Sequence, residues 1–201
     1  MTLSRRSALG LIGAGIPLAS AATRLGAETL APPPSAGQQP KVYDEVGLEW
    51  VMDILPFCSE PEAMGDKSDQ TAADGTRDIL WPIVGGTFHG PGIKGEGIKG
   101  TVIPGGGDFP VVRPDGVQII DALYRLKTDD GVQIIIHNKG PRYSSRKFRL
   151  LPTFNVPGKK YAWLRESVFV ATLTYPIPPE IPVPDYGPKA NGRLIQVFRI
   201  T

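Results

Sequence analysis

One cysteine, Cys58, and two histidines, His89 and His137, are all the thiol and imidazole that 201 residues contain. A lone thiol forms no internal disulfide. Cys58 has no neighbouring base to activate it, so it is expected to be a bystander rather than a nucleophile or a dimer link. Two histidines fall short of an ordinary zinc ligand set, and their spacing carries no metal signature. No metal and no cofactor is therefore expected. A Gly-x-Ser-x-Gly elbow is missing, and no Gly-x-Gly-x-x-Gly run opens a helix as a dinucleotide fingerprint requires. Gly105-Gly106-Gly107 is followed by Asp108 instead of the Lys-Ser/Thr of a phosphate loop. These absences exclude nucleotide hydrolysis and nicotinamide chemistry. No apolar run reaches the roughly 20 residues that a membrane span needs.

The front of the chain has the form of a targeting segment. Ser4-Arg5-Arg6-Ser7 precedes the short apolar run Ala8 to Ala22, and small residues offer cleavage at Ala19-Ser20-Ala21 or Leu25-Gly26-Ala27. The paired arginines specify the twin-arginine kind of signal, over residues 1–27, and a periplasmic destination. Its removal takes away Arg5, Arg6 and Arg24 and no acid; of 22 basic and 20 acidic residues, 19 and 20 remain, a net charge of −1. A near-neutral protein has no electrostatic case for binding nucleic acid, and without its signal none for the membrane.

What the chain has in plenty is turn chemistry. Its 24 glycines and 21 prolines lie between short apolar runs without a period, which points to one all-β domain. Residues 28–45 read as a flexible linker and 46–201 as the folded domain. Strands are expected at Leu48–Ile54, Ile79–Phe88, Ile98–Ile103, Val117–Lys127, Val132–Asn138, Phe148–Phe154, Val168–Tyr175 and Leu194–Ile200. Asp129-Asp130-Gly131 joins two of them into a hairpin, and Tyr161-Ala162-Trp163-Leu164 reads as one helical turn. The stretch 58–78 reads as a long, mobile polar loop. Six prolines from Pro176 to Pro188 make a stiff connection, either a surface insertion or a lid over one end of the sheet.

From Gly85-Gly86-Thr87-Phe88-His89-Gly90-Pro91 onward a series of motifs resembles the DUF3237 (UPF0311) family. The series continues through Gly105-Gly106-Gly107-Asp108, Arg113-Pro114-Asp115-Gly116, Asp121-Ala122-Leu123-Tyr124, Thr128-Asp129-Asp130-Gly131 and Asn138-Lys139-Gly140. It ends with Phe148-Arg149, Pro152-Thr153-Phe154, Tyr161-Ala162-Trp163-Leu164 and Phe169-Val170. The resemblance implies a closed antiparallel β-barrel of about eight to ten strands, of the lipocalin or allene-oxide-cyclase type, able to hold one small ligand. It also implies cofactor-free decarboxylation, cyclisation or isomerisation of a phenolic or polyketide-like molecule. Phe109, where the family commonly has Trp, and Arg165, where it often has Asn, depart from the pattern and bear on the substrate.

Three residues are expected to move protons. Asp121 shares a strand face with Ile119 and Leu123; it is either a lumen-facing acid or base or half of a structural ion pair. Asp108, after three glycines, is either a base at the barrel mouth or a turn cap. His89, beside Phe88, is the proton carrier of the pair of histidines; His137 is out of phase with Ile134, Ile136 and Asn138 and faces solvent. For binding, Arg113 and Arg149 are the anion-holding candidates, although Arg113 could brace its own turn. Tyr124, Trp163 and Phe169 would stack on an aromatic ligand or fill the core, and Asn138 joins them as a binding residue.

Three functions compete. The first is a cofactor-independent lyase or isomerase for a small aromatic or phenolic molecule; the second is a periplasmic binding protein without catalysis. The third is a structural protein with a filled barrel. Oligomeric state stays open, a homo-oligomer included.

Overall fold

The computed structural model describes residues 45–144 and 147–201. The expected signal, 1–27, and all of the expected linker but Glu45 lie outside the described residues.

The elements follow one another as β1 (Leu48–Cys58), β2 (Glu62–Ala63), β3 (Arg77–Gly90), β4 (Ile98–Asp108), β5 (Val111–Val112), β6 (Gln118–Thr128), β7 (Gln133–Ser144), β8 (Lys147–Asn155), α1 (Trp163–Glu166), β9 (Phe169–Thr174), β10 (Asn191–Gly192) and β11 (Leu194–Ile200). Eight of them form a ring in the order β1, β3, β4, β6, β7, β8, β9, β11, every pair antiparallel. The ring closes because β1 pairs with β3 on one side and β11 on the other. This is the closed antiparallel barrel expected from the sequence, and closure leaves the ring no unpaired edge.

Alternation decides what fills the ring. On β6 the inward row is Ile120, Ala122, Tyr124 and Leu126, all buried; the outward row is Ile119, Asp121, Leu123, Arg125 and Lys127. On β7 the inward row is Ile134, Ile136 and Asn138. Phe148, Leu150 and Phe154 do the same for β8. Each large apolar side chain buried in this way contributes roughly 1.5–3 kcal/mol.

The two ends of the barrel differ. At one end the single-turn helix α1 and the segment before it act as a plug. Leu164 and Val156 are buried there, and the Arg165 guanidinium donates to the Val156 carbonyl at 3.0 Å. The other end is formed by the finish of β1, β4 and β7 and the start of β3, β6 and β11, and it is open. Two long connections border it. Residues 59–76 hold β2, which pairs with Ile79 and Leu80 of β3, and Asp66, Asp69 and Asp74 each accept a backbone N–H two residues on. The mobile loop expected at 58–78 is thus tied down by a strand and local turns. The proline-rich connection does not cross the mouth as a lid. Its Tyr186 stacks on Phe57 of β1, ring centres 4.6 Å apart, and Lys189 pairs with Glu60 at 3.1 Å.

Candidate functional site

Of the buried polar side chains Asp108, Thr128 and Asn138, Asp108 and Asn138 lie near the open end, while Thr128 ends β6 at the plugged one. Asp108, Ala122 and Asn138 sit opposite one another in a row across β4, β6 and β7. The short side chain of Ala122 therefore separates a carboxyl from an amide and leaves space between them. Tyr124, two positions along β6, stands over the same space, and Cys58 and Arg193 border it from β1 and the approach to β11.

Asp108 points inward because β4 bends just before it. The β4–β6 pairing shifts register between Ile103 and Gly107, and Gly105 adopts φ 96°, a conformation only glycine takes freely. The backbone then runs so close to Tyr124 that a Cβ on Gly106 would lie 2.4 Å from the tyrosine Cβ. The sequence Gly-Gly-Gly-Asp is thus the local requirement for laying a carboxylate across a tyrosine.

Asp108 is 7% exposed, and its Oδ1 accepts the backbone N–H of Asp121 at 3.0 Å. Burial raises its carboxyl from 3.8 to about 6, against the lowering by that hydrogen bond and by the Arg193 guanidinium. Tyr124 Oη and both amide atoms of Asn138 are buried and make no hydrogen bond; the two groups are neighbours outside hydrogen-bond geometry. Burial drives the Tyr124 hydroxyl far above its ordinary range, so it stays a proton donor at any working pH. Buried polar groups without partners are uncommon and call for an explanation. Three such atoms around one cavity, next to a carboxyl with a raised pKa, match the chemistry of a binding site whose ligand supplies the missing partners.

Burial also pushes the Cys58 thiol up to about 11, outweighing the nearby Arg193 guanidinium. Cys58 is expected to resist iodoacetamide at pH about 8 in the folded protein and to react on unfolding. Rapid alkylation of the native chain, followed by mass spectrometry, would contradict this burial.

The cavity opens outward into a chamber of about 140 Å³ lined by Trp81, Gln118, Arg142, Phe148, Tyr175 and Arg193. The inner space beside Tyr124 and Asn138 is about 20 Å³. Among the described residues no cluster of His, Cys, Asp or Glu is arranged to hold a metal ion.

Of the residues singled out from the sequence, Asp108, Tyr124 and Asn138 come together here. The others do not. Asp121 lies on the outer wall, where it pairs with His137 and Lys139, each at 2.5 Å. Partial burial raises its carboxyl, and those two partners outweigh burial and hold it below the usual range. The expectation of a lumen-facing acid is corrected: Ile119 and Leu123 belong to the outward row, and Leu123 is half exposed. Arg149 is also outward, alongside the exposed Leu151, with Nη1 on the Phe148 carbonyl at 2.8 Å. Arg113 braces its turn through Asp115 at 2.6 Å. His89 is exposed at the plugged end, on an open groove of about 540 Å³ with Trp50 and Lys160. Trp163 and Phe169, ring centres 6.0 Å apart, fill that same end. Antiparallel neighbours finish at opposite ends, so the last residue of β3 and the last of β4 cannot share a site.

Arg193 was missed by sequence reasoning. It follows the proline-rich connection and is fixed at the mouth because its N–H donates to the Pro56 carbonyl of β1 at 3.0 Å. The Asn191-Gly192-Arg193 step just ahead of the last strand was the available signal.

A protein-family model, "Protein of unknown function (DUF3237)", matches residues 47–148. A UPF0311 protein of Clostridium acetobutylicum is 31% identical over 143 residues, spanning 63% of this chain and 84% of its own length. Among solved structures, a β-barrel-like protein of Acinetobacter baumannii superposes with a TM-score of 0.59 at 24% identity, covering 79% of this chain and 98% of its own. An enzyme of Penicillium herquei superposes with a TM-score of 0.56 at 21% identity, covering 82% and 99%. With its barrel matching theirs in fold and its sequence matching the family model over half its length, the chain belongs to the DUF3237 family.

Proposed function

We propose that the chain is a cofactor-independent enzyme of the lyase or isomerase type, exported to the periplasm, that moves a proton on a small phenolic or aromatic molecule held in the barrel. The observation that carries this reading is the meeting of the buried Asp108 carboxyl with the unpartnered Tyr124 hydroxyl and Asn138 amide on one cavity. With a carboxyl near 6, Asp108 is mostly ionised at neutral pH yet basic enough to take a proton and give it back. Asp108 accepts a proton from a carbon next to a carbonyl, or from a phenol oxygen. The electron pair moves onto the substrate oxygen, where Tyr124 Oη–H and Asn138 Nδ2–H donate hydrogen bonds. Protonated Asp108 then returns the proton to another carbon, completing an isomerisation, or to the carbanion left when a carbon–carboxylate bond breaks. The Penicillium herquei neighbour, itself an enzyme, supports catalysis as one use of such a lumen.

The alternative is a small-molecule binding protein without catalysis, favoured by the room for a ligand lying in the outer chamber, about 140 Å³, rather than beside Tyr124, where the inner space is about 20 Å³. A water needs roughly 10–15 Å³ of such space, so little more than one fits beside Tyr124 without movement.

Incubation of the protein in heavy water with a panel of hydroxyaryl ketones, followed by proton NMR, separates the two readings. Enzyme-dependent loss of the acidic C–H signal is expected. Tyr124→Phe should slow it about a hundredfold by removing the donor, while Asp121→Asn, on the outer wall, should leave the rate unchanged. Binding without exchange across the panel would favour the alternative.

A further inference from the structure

Two guanidinium groups face the open-end chamber without an acidic partner. Arg193 lies over Trp81 at 4.8 Å and Tyr175 at 5.4 Å, and its Nη1 donates to the carbonyl and Oδ1 of Asn191 at 3.1 and 2.6 Å. Arg142 lies over Phe148 at 5.2 Å; Nη1 donates to Gln118 Oε1 at 3.0 Å and Nε to the Ser144 carbonyl at 3.3 Å. All of these partners are neutral. Among the described residues no carboxylate stands within ion-pair distance of either arginine, whereas Arg113, Arg165 and Arg199 each have one. Among the described residues, Nη2 of both, and Nε of Arg193, have no hydrogen-bond partner.

Among the described residues Arg77, Arg125 and Arg149 also lack an acid but are exposed to water, whereas Arg142 and Arg193 are half-buried. On a surface an arginine is free to swing toward an acid; here stacking and neutral hydrogen bonds hold both planes at the chamber wall. The one acid on that chamber, Asp108, sits at its inner side, so two positive groups face one negative group. The walls between them are aromatic. A chamber of about 140 Å³ has room for about one ring.

We propose that this chamber takes a one-ring aromatic carboxylate. Its carboxylate oxygens bind the open Nη2 donors of Arg193 and Arg142 at the mouth, and its ring lies among Trp81, Phe148 and Tyr175. The ring's far edge then points to Asp108, Tyr124 and Asn138. The inference rests on the lumen being the working site and adds the class of molecule that enters it: an anion bound by the mouth, with the reacting group innermost.

Isothermal titration of the full chain with benzoate and with benzamide, its neutral isostere, tests this. Benzoate is expected to bind, and benzamide to bind about tenfold more weakly or worse, since hydrogen bonds between charged groups exceed neutral ones by about that factor. Arg193→Gln and Arg142→Gln should each weaken benzoate about tenfold and leave benzamide unchanged, and Arg193→Lys should recover part of the loss. Because Arg193 also holds Trp81 and Tyr175 in place, the melting temperature is recorded for each variant; Arg142→Gln is the independent arm if Arg193→Gln fails to fold. Equal affinity for benzoate and benzamide, no benzoate binding, or glutamine variants that bind benzoate as the parent does would overturn the proposal. Charge-dependent benzoate binding with no proton exchange on any substrate would leave this inference standing and sink the catalytic reading. Exchange on neutral ketones with no benzoate binding would do the reverse.

Discussion

Asp108→Asn is expected to slow the proposed proton exchange about a thousandfold while making the protein more stable at neutral pH. Asparagine keeps the shape of the side chain and the Oδ1 that accepts the Asp121 N–H at 3.0 Å, so the bend after Gly105-Gly106-Gly107 keeps its anchor. What it removes is a charge inside the barrel. The folded carboxyl titrates at about 6 and the unfolded one near 3.8, so in that window the folded protein binds a proton that the unfolded chain has released. Stability contributed at this position is therefore greatest on the acid side, falls as pH rises from 3.8, and is fully lost above about 6. The difference amounts to about 2–3 kcal/mol at neutral pH. Denaturant titrations at pH about 4.5 and 7.5 should show the variant gaining mostly at the higher value. A variant less stable at neutral pH, or one that retains exchange, would contradict the role given to this carboxyl.

Gly140→Ala is expected to be among the most damaging small substitutions in the barrel wall. Gly140 is buried on β7 opposite Ile120 of β6, and a Cβ built there would lie 2.0 Å from the Arg149 carbonyl oxygen and 2.9 Å from the Leu150 Cα. Both are backbone atoms of β8, so no side chain can turn aside, and β7 and β8 must separate. About 3 kcal/mol should be lost, lowering the melting temperature by about 10 °C for a domain of this size. Calorimetry checks it; a change within about 2 °C would mean that the wall yields more readily than its packing implies.

The strand plan was legible because turn chemistry and alternation agree. Leu194–Ile200 is observed as read, and the hairpin between β6 and β7 turns at Asp129-Asp130-Gly131, with Gly131 at φ 91°. The two-residue strands β2, β5 and β10 are too short to leave a period. The face of β6 was ambiguous, since both of its rows carry apolar residues. The longer uninterrupted series Ile120, Ala122, Tyr124, Leu126 marked the lumen, and Asp121 interrupts the other row. That row is outward, where a barrel wall tolerates Leu123 half exposed.

The site was legible where local backbone makes it and illegible where only closure does. Asp108 follows from its glycines, and Asn138 from its phase with Ile134 and Ile136. Arg193 reaches the mouth through the β1–β11 pairing, a contact between residues well over a hundred positions apart, and the local Asn191-Gly192-Arg193 step does not say where the side chain lands. Alternation of strand direction, by contrast, was available and excludes His89, Trp163 and Phe169: the end of β3, the end of β8 and the start of β9 all lie at the plugged end, away from Asp108.

The central claim is that one buried carboxyl of the lumen meets the ligand. Carbon-13 NMR titration of aspartate-labelled protein tests it most directly. One carboxyl with a midpoint near 6, absent in Asp108→Asn and displaced when benzoate or a hydroxyaryl ketone is added, is the expected result. Aspartates that all titrate in the ordinary acid range, or a carboxyl near 6 that no ligand moves, would contradict it.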